Sequence, residues 1–132
     1  MSDITTIQTI ERNTSVLLQK AAQTAEAIAS AAETDDRYDE LSALTAAIHI
    51  ASADGLLPLP ETVPDAWPPD IATPAVDSLA LRLDAAADQL ADLGREATVP
   101  RTVHDRYKAA VCVRKVAIAL RNAAAPDGRQ PS

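Results

Sequence analysis

Apolar residues recur along most of the chain at intervals of three and four, the spacing that places side chains on one face of an α-helix. Four segments show this pattern, and glycine, proline and charged runs separate them. The sequence therefore predicts a single all-α domain, a four-helix antiparallel bundle with a Pro-rich crossover loop between helices 2 and 3. The predicted helices cover residues 3–33, 36–53, 74–93 and 102–124.

The first predicted helix carries an almost continuous apolar stripe, which only Thr14 interrupts with a polar side chain. At about 1.5 Å per residue this helix is roughly 45 Å long, more than a compact bundle of this size needs. Its first turns therefore either overhang the bundle or are covered by another subunit. The stripe consists of Ile7, Ile10, Thr14, Leu17, Leu18, Ala21, Ala25, Ile28 and Ala32.

The second predicted helix has its core stripe at Leu41, Leu44, Ile48 and Ala51, and Gly55 is placed to end it. His49 lies away from that stripe and has no partner at metal-ligand spacing, which is typical of a surface or boundary histidine.

The third helix is expected to use Thr73 as its N-cap, with Pro74 in the first position, and to stop at Gly94. Its predicted buried stripe is Val76, Leu79, Leu83, Ala86, Leu90 and Leu93.

A proline-rich segment, residues 55–73, separates the second and third helices. Five of the nine prolines lie inside it, which excludes helix through most of its length. Its apolar residues, Trp67 among them, argue against a solvated linker. The segment is either an extended strap over the bundle with Trp67 as its anchor, or Trp67 reaches a neighbouring subunit or partner. The tail, residues 126–132, is expected to fray.

The fourth predicted helix is apolar on two sides. Its core stripe is Ala109, Cys112, Val113, Val116, Ala119, Leu120 and Ala123. Tyr107, Val111 and Ile118 form a second strip on the opposite side. Arginines line one border of this strip, and His104 and Lys115 line the other; the arginines are Arg106, Arg114 and Arg121. Two interpretations remain open: the chain covers the second strip itself, or the strip is a docking face with a cationic rim.

The net charge of −7 is unevenly distributed, with −12 in residues 1–94 and +5 in residues 95–132. The acidic total argues against general affinity for nucleic acid or anionic lipid. The basic third leaves a local anion site open, although pairing between acidic and basic helices is the simpler expectation. Alanine supplies about a fifth of the chain. Because an alanine core buries little area, association with another copy or a partner is favoured.

Catalytic, cofactor and metal motifs are not evident in the sequence. Three glycines are too few for a phosphate-binding loop, neither histidine belongs to a recognised catalytic pattern, and Cys112 is the single cysteine. The acidic ridge of the third helix is a weak cation site and more typical of a solvated or arginine-paired surface; it consists of Asp77, Asp84, Asp88 and Asp92. No secretory signal or apolar run of membrane-spanning length is seen, so we expect the cytoplasm, or a particle assembled there.

The predicted function is therefore non-catalytic. We expect a structural or adaptor protein that acts through helical protein–protein interfaces, as a homo-oligomer or as a component of a larger assembly. The predicted partner-binding residues are Arg106, Tyr107, Val111, Arg114, Ile118 and Arg121, and Trp67 is a secondary candidate. The alternative is a nucleic-acid-binding accessory subunit that places the basic residues of the last helix on phosphates; these are Arg101, Arg106, Lys108, Arg114, Lys115 and Arg121.

Overall fold

The computed structural model describes residues 4–35, 38–56, 71–96 and 100–124. These residues form four α-helices, and the described ranges contain no β-strand. The all-α prediction is confirmed. The helices are α1 (Ile4–Ala32), α2 (Glu40–Asp54), α3 (Thr73–Glu96) and α4 (Pro100–Ala123).

Three hydrogen bonds place the helix ends relative to one another. The Asp39 N–H donates to the Ala123 carbonyl at 3.0 Å, and the Thr73 hydroxyl donates to the Ala124 carbonyl at 2.9 Å. The Tyr38 hydroxyl donates to the Ile71 carbonyl at 3.2 Å. The first residues of α2 and α3 and the last residues of α4 therefore lie at the same end of the bundle.

The order of packing follows from these contacts. Helices α1 and α4 each pack against both α2 and α3, while α1 and α4 meet only weakly across the bundle diagonal. Every neighbouring pair is antiparallel, and α2 and α3 are parallel and diagonal. Leu56 and Ile71 thus lie at opposite ends of α2. Residues 57–70, which hold Trp67 and most of the predicted strap, lie outside the described residues, as does the predicted frayed tail.

The core is built from small side chains around a few large ones. Leu18 and Ile28 of α1, Leu83 and Leu90 of α3, and Leu120 of α4 are fully buried, and alanines fill most of the remaining positions. The stripes predicted for α1, α3 and α4 face this core. Thr14 is completely buried there, and its hydroxyl donates to the Ile10 carbonyl at 2.8 Å, so the polar group within the stripe is satisfied.

The starts of three helices differ from the sequence prediction because other residues cap or extend the helix. Helix α2 begins at Glu40 rather than near residue 36, since Asp39 is its N-cap and accepts the Leu41 N–H at 3.2 Å and the Ser42 hydroxyl at 2.7 Å. Helix α3 begins at Thr73 itself, whose hydroxyl bonds to the end of α4. Helix α4 begins at Pro100, two residues earlier than predicted.

Gly94 does not stop α3, which continues to Glu96. The glycine is buried beneath the ring of Tyr107, and a Cβ built there would lie 3.2 Å from Tyr107 Cε2. Its role is to let α4 approach α3 closely. Within the described ranges no helix combines the length and the apolar character that crossing a bilayer requires.

Candidate interface on helices α2 and α4

Helix α2 turns its large apolar side chains away from the core. Leu41 is 72% exposed, Leu44 49% and Ile48 65%, and Ala51 is exposed as well. The prediction that these residues form the buried stripe of α2 is therefore wrong. The residues that face the core are one step around the helix and are mostly small: Ala43, Ala46, Ile50 and Ala53.

The physical reason lies in the packing distance. Helix α2 is apolar on both sides, so two stripes of three-and-four spacing compete for the interior. Alanines at the contact allow α2 to approach α1 and α4 closely, whereas leucines would hold it further away. The chain buries the stripe of small side chains and leaves the stripe of large ones outside.

Helix α4 leaves its second strip uncovered. Val111 is 50% exposed and Ile118 55%, and Tyr107 is less exposed at 37%. The opposite stripe of α4 is buried, Cys112 included. That the second strip binds a partner remains a prediction.

A groove runs between α2 and α4, with an accessible volume of about 320 Å³. Leu41 and Ile118 lie on its two walls. Ile48 follows Leu41 after two turns on α2, and Val111 precedes Ile118 by two turns on α4. We call this surface the α2–α4 face. It consists of the exposed apolar residues Leu41, Ile48, Val111 and Ile118 and of the polar residues that line the groove, Ser42, Thr45, His49, Lys115 and Asn122.

The exposed part of the four large apolar residues on the α2–α4 face equals between two and three whole side chains. Since burial of one such side chain stabilises by about 1.5–3 kcal/mol, roughly 4–7 kcal/mol of hydrophobic stabilisation is unused. The composition of α2 is also unusual for a helix with an exposed face, because the sequence places no acidic or basic side chain other than His49 between Glu40 and Asp54. A helix that is apolar on all sides is normally buried on all sides.

Two arginines of α4 pair with carboxylates of α3. The side chain of Arg121 contacts Asp84 of α3 at 2.8 Å, and Arg114 pairs with Asp88 of the same helix. Both pairs are partly exposed, so they contribute little to stability, but they neutralise much of the predicted cationic rim. Lys115 differs, because it lies in the groove and makes no ion pair with a described residue.

Two other predicted contact residues lie apart from the α2–α4 face. Tyr107 packs over Gly94 on the side of α3. The Arg106 side chain is only 16% exposed, and its Nε lies 3.8 Å from Glu11 of α1. Trp67 lies outside the described residues. The structure thus places Val111 and Ile118 on the same surface as residues of α2 that the sequence prediction had assigned to the core. The absence of acidic and basic side chains other than His49 between Glu40 and Asp54 of α2 was the feature of the sequence that could have revealed this surface.

Metal-ligating side chains do not cluster in the part of the chain that the structure describes. No group of three or more His, Cys, Asp or Glu side chains is arranged there to hold a metal ion. Asp84 and Asp88 of the acidic ridge pair with arginines instead. No family model, curated protein or solved structure matches the chain.

Proposed function

We propose that this chain is a non-catalytic structural or adaptor protein that acts through the α2–α4 face, in the cytoplasm or in a particle assembled there. One observation carries the proposal: α2 buries its small side chains and presents Leu41 and Ile48 to the outside on a stretch without acidic or basic groups other than His49. Burial of this face against another protein would recover the hydrophobic stabilisation that folding of the chain leaves unused.

The surroundings of the apolar residues support this function. An interface usually combines an apolar centre with a polar, solvent-accessible rim. The α2–α4 face has its large apolar residues on both sides of the groove, with Lys115 and Asn122 beside them. The Arg121–Asp84 and Arg114–Asp88 pairs lie beyond, on the side of α3.

The nucleic-acid alternative is less well supported. Arg114 and Arg121 each lie against a carboxylate of α3, which a phosphate would have to displace. The acidic ridge would also repel the phosphate backbone. We therefore expect no binding of mixed-sequence single- or double-stranded DNA or RNA at low ionic strength in a fluorescence titration, and salt-sensitive binding there would favour the alternative.

Site-directed photo-crosslinking in the cells that make the protein tests the proposed function. Benzoylphenylalanine replaces Ile48 on the α2–α4 face, and a matched control replaces Leu81 of α3. The two residues are equally exposed, at 65% and 64%. We expect adducts of higher mass from position 48 and few from position 81. Equal yields at both positions would contradict the proposed function.

A further inference from the structure

We infer that the α2–α4 face binds an amphipathic helix of another protein, and that this helix carries acidic residues along the edge that meets α4. This inference rests on the proposed function and specifies the chemistry of its partner. Two features of the face support it, namely the distribution of charge around it and the shape of the groove.

Acidic side chains are missing from both helices along the length of the face. The chain contains 19 Asp and Glu residues, but the sequence places none of them at positions 41–53 or 106–124. The nearest carboxylates on α3, those of Asp84 and Asp88, pair with arginines on the opposite border of α4. The face is thus without carboxylates in a chain whose net charge is −7.

One stripe of α4 is exposed along its length and combines basic with apolar side chains. Its positions alternate between spacings of four and three, and all of them are exposed: His104, Lys108, Val111, Lys115, Ile118 and Asn122. Neither lysine makes an ion pair with a described residue, whereas Arg114 and Arg121 pair with α3. The stripe therefore presents two uncompensated positive charges beside the apolar residues of the face.

A partner that covers this stripe has to supply negative charge. Burial of an ammonium group beside Val111 or Ile118 without a counter-charge would cost free energy. Carboxylates on the partner remove that cost and favour an acidic partner over an uncharged or basic one. Lys108 and Lys115 are two helical turns apart, about 10 Å, so carboxylates seven positions apart on a partner helix would reach both.

The shape of the groove favours a helix as the contacting element of the partner. Helices satisfy their backbone groups internally, so an extended segment would find no backbone hydrogen bonds on α2 or α4. Grooves that bind polyproline segments are lined by aromatic side chains, and the members of the face include none. A third helix satisfies its own backbone and fits between two helices whose axes are about 8–10 Å apart. Residues 108–122 span about 21 Å, the length of about four turns of a partner helix.

Nucleic acid would match the lysines but not the apolar residues. Its binding depends mainly on contacts between basic side chains and phosphates. Leu41, Ile48 and Ile118 are all at least half-exposed, and a phosphate backbone would give them no apolar surface to pack against. An amphipathic helix buries the apolar residues and neutralises the lysines together.

Selection from a displayed library tests the kind of partner. The probe is a stable helical domain in which the outward positions of one helix are randomised, and the target is the immobilised full chain. We expect enriched sequences to carry apolar residues three and four positions apart, flanked by Asp or Glu at least about threefold more often than by Lys or Arg. Counter-selection on the Ile118→Asp chain removes sequences that bind elsewhere; Ile118 is 55% exposed, so this variant should stay folded. No enrichment, or enrichment without an acidic preference, would overturn the inference.

Charge exchange tests the contact with the lysines. The selected domain of highest affinity is titrated against the full chain by fluorescence anisotropy. Lys115→Glu should weaken binding by about tenfold, and replacing the acidic residues of the selected domain with lysine should restore it. Lys20→Glu makes the same charge change on the outer face of α1 and should alter the affinity by less than about twofold. Equal effects at positions 20 and 115 would assign the attraction to net charge and overturn the inference.

The same pair of variants distinguishes this inference from the proposed function in cells. Lys115→Glu should reduce the photo-adducts at position 48 by at least about fivefold, and Lys20→Glu should leave them unchanged. Adducts that persist in Lys115→Glu would support the proposed function and overturn the acidic helix. Equal adduct yields at positions 48 and 81 would overturn both.

Three further results would assign the face to a different occupant and overturn the inference. Binding of mixed-sequence DNA or RNA that Lys115→Glu weakens would assign it to nucleic acid. Self-association of the purified chain that Ile118→Asp abolishes would assign it to a second copy. A shift of the Trp67 emission on Ile48→Asp in the unassociated chain would assign it to residues 57–70.

Discussion

Helices α1 and α2 differ in what they present to the outside. The outer face of α1 is polar, with Arg12, Asn13, Lys20 and Glu26 exposed. The outer face of α2 carries Leu41 and Ile48, and its inner face carries alanines. Folding of the single chain accounts for the pattern of α1, because large apolar residues point inward and charges point outward. In α2 the close approach of neighbouring helices accounts for the small residues on the inner face, but folding of the single chain does not account for the large apolar residues on the outer face.

The comparison also shows what each helix contributes to the core. Helix α1 supplies Leu18 and Ile28, both fully buried, while α2 supplies mainly Ala43, Ala46 and Ala53. Helix α2 thus contributes little apolar area to the core of its own chain, and its larger apolar side chains lie on the surface. For folding of the monomer alone, polar residues at positions 41 and 48 should serve about equally well, because substitutions at exposed positions usually change stability by less than about 0.5 kcal/mol.

The largest expected difference is between two isoleucines in these helices. Ile28→Ala in α1 removes a fully buried side chain and should lower the free energy of unfolding by about 2–5 kcal/mol. Ile48→Ala in α2 should change it by less than about 1 kcal/mol at high dilution, where the chain is unassociated. Urea unfolding at submicromolar concentration measures both. A comparable loss for the two variants would place Ile48 in the core.

An intermediate effect is expected from enlarging the alanines of α2. Ala46 is fully buried, so Ala46→Leu should overpack the contact and cost about 1–3 kcal/mol. Ala47 is exposed, and Ala47→Leu should alter stability by no more than about 0.5 kcal/mol. Thermal unfolding followed by circular dichroism compares them. If Ala46→Leu is tolerated, close approach is not the reason for the reversed pattern of α2.

The smallest effect is expected from the ion pairs between α3 and α4. Arg121 and Asp84 are both one-third exposed, so a double-mutant cycle with alanine should give a coupling of about 0.2–1 kcal/mol. Raising the salt concentration should reduce it further. A coupling well above this range would show that the pair orders the two helices rather than merely neutralising charge.

The sequence predicted the helices better than it predicted their orientation. In α1, α3 and α4 the large apolar residues occupy one stripe that is clearly broader than any other, so the buried side could be identified. In α2 the predicted stripe contained Leu41 and Ile48, but the residues that the structure buries, such as Ala43 and Ala46, have the same helical spacing. Which stripe is buried depends on how closely the neighbouring helices approach α2. That distance is set by tertiary packing and cannot be read from the local sequence.

The candidate site was likewise predictable from local patterns only in part. The second apolar strip, which contains Val111 and Ile118, was visible from its helical spacing, although the sequence left open whether the chain covers it. The charge division predicted pairing between acidic and basic helices. The individual partners, such as Asp84 for Arg121, depend on the register of α3 against α4, which no local pattern specifies. The sequence suggested that Gly94 ends its helix. Its actual role could not be seen there, because its packing partner, Tyr107, lies on another helix.

The most direct measurement of whether another protein covers the α2–α4 face is the reaction rate of a surface thiol in the cell. Ile48→Cys and Lys20→Cys place thiols on the outer faces of α2 and α1, and a membrane-permeant maleimide reports their accessibility. If about nine-tenths of the chain is bound, the thiol at position 48 should react about tenfold more slowly in cells than in dilute purified protein. The thiol at position 20 should react at the same rate in both. Equal rates at position 48 in the two settings would contradict the account.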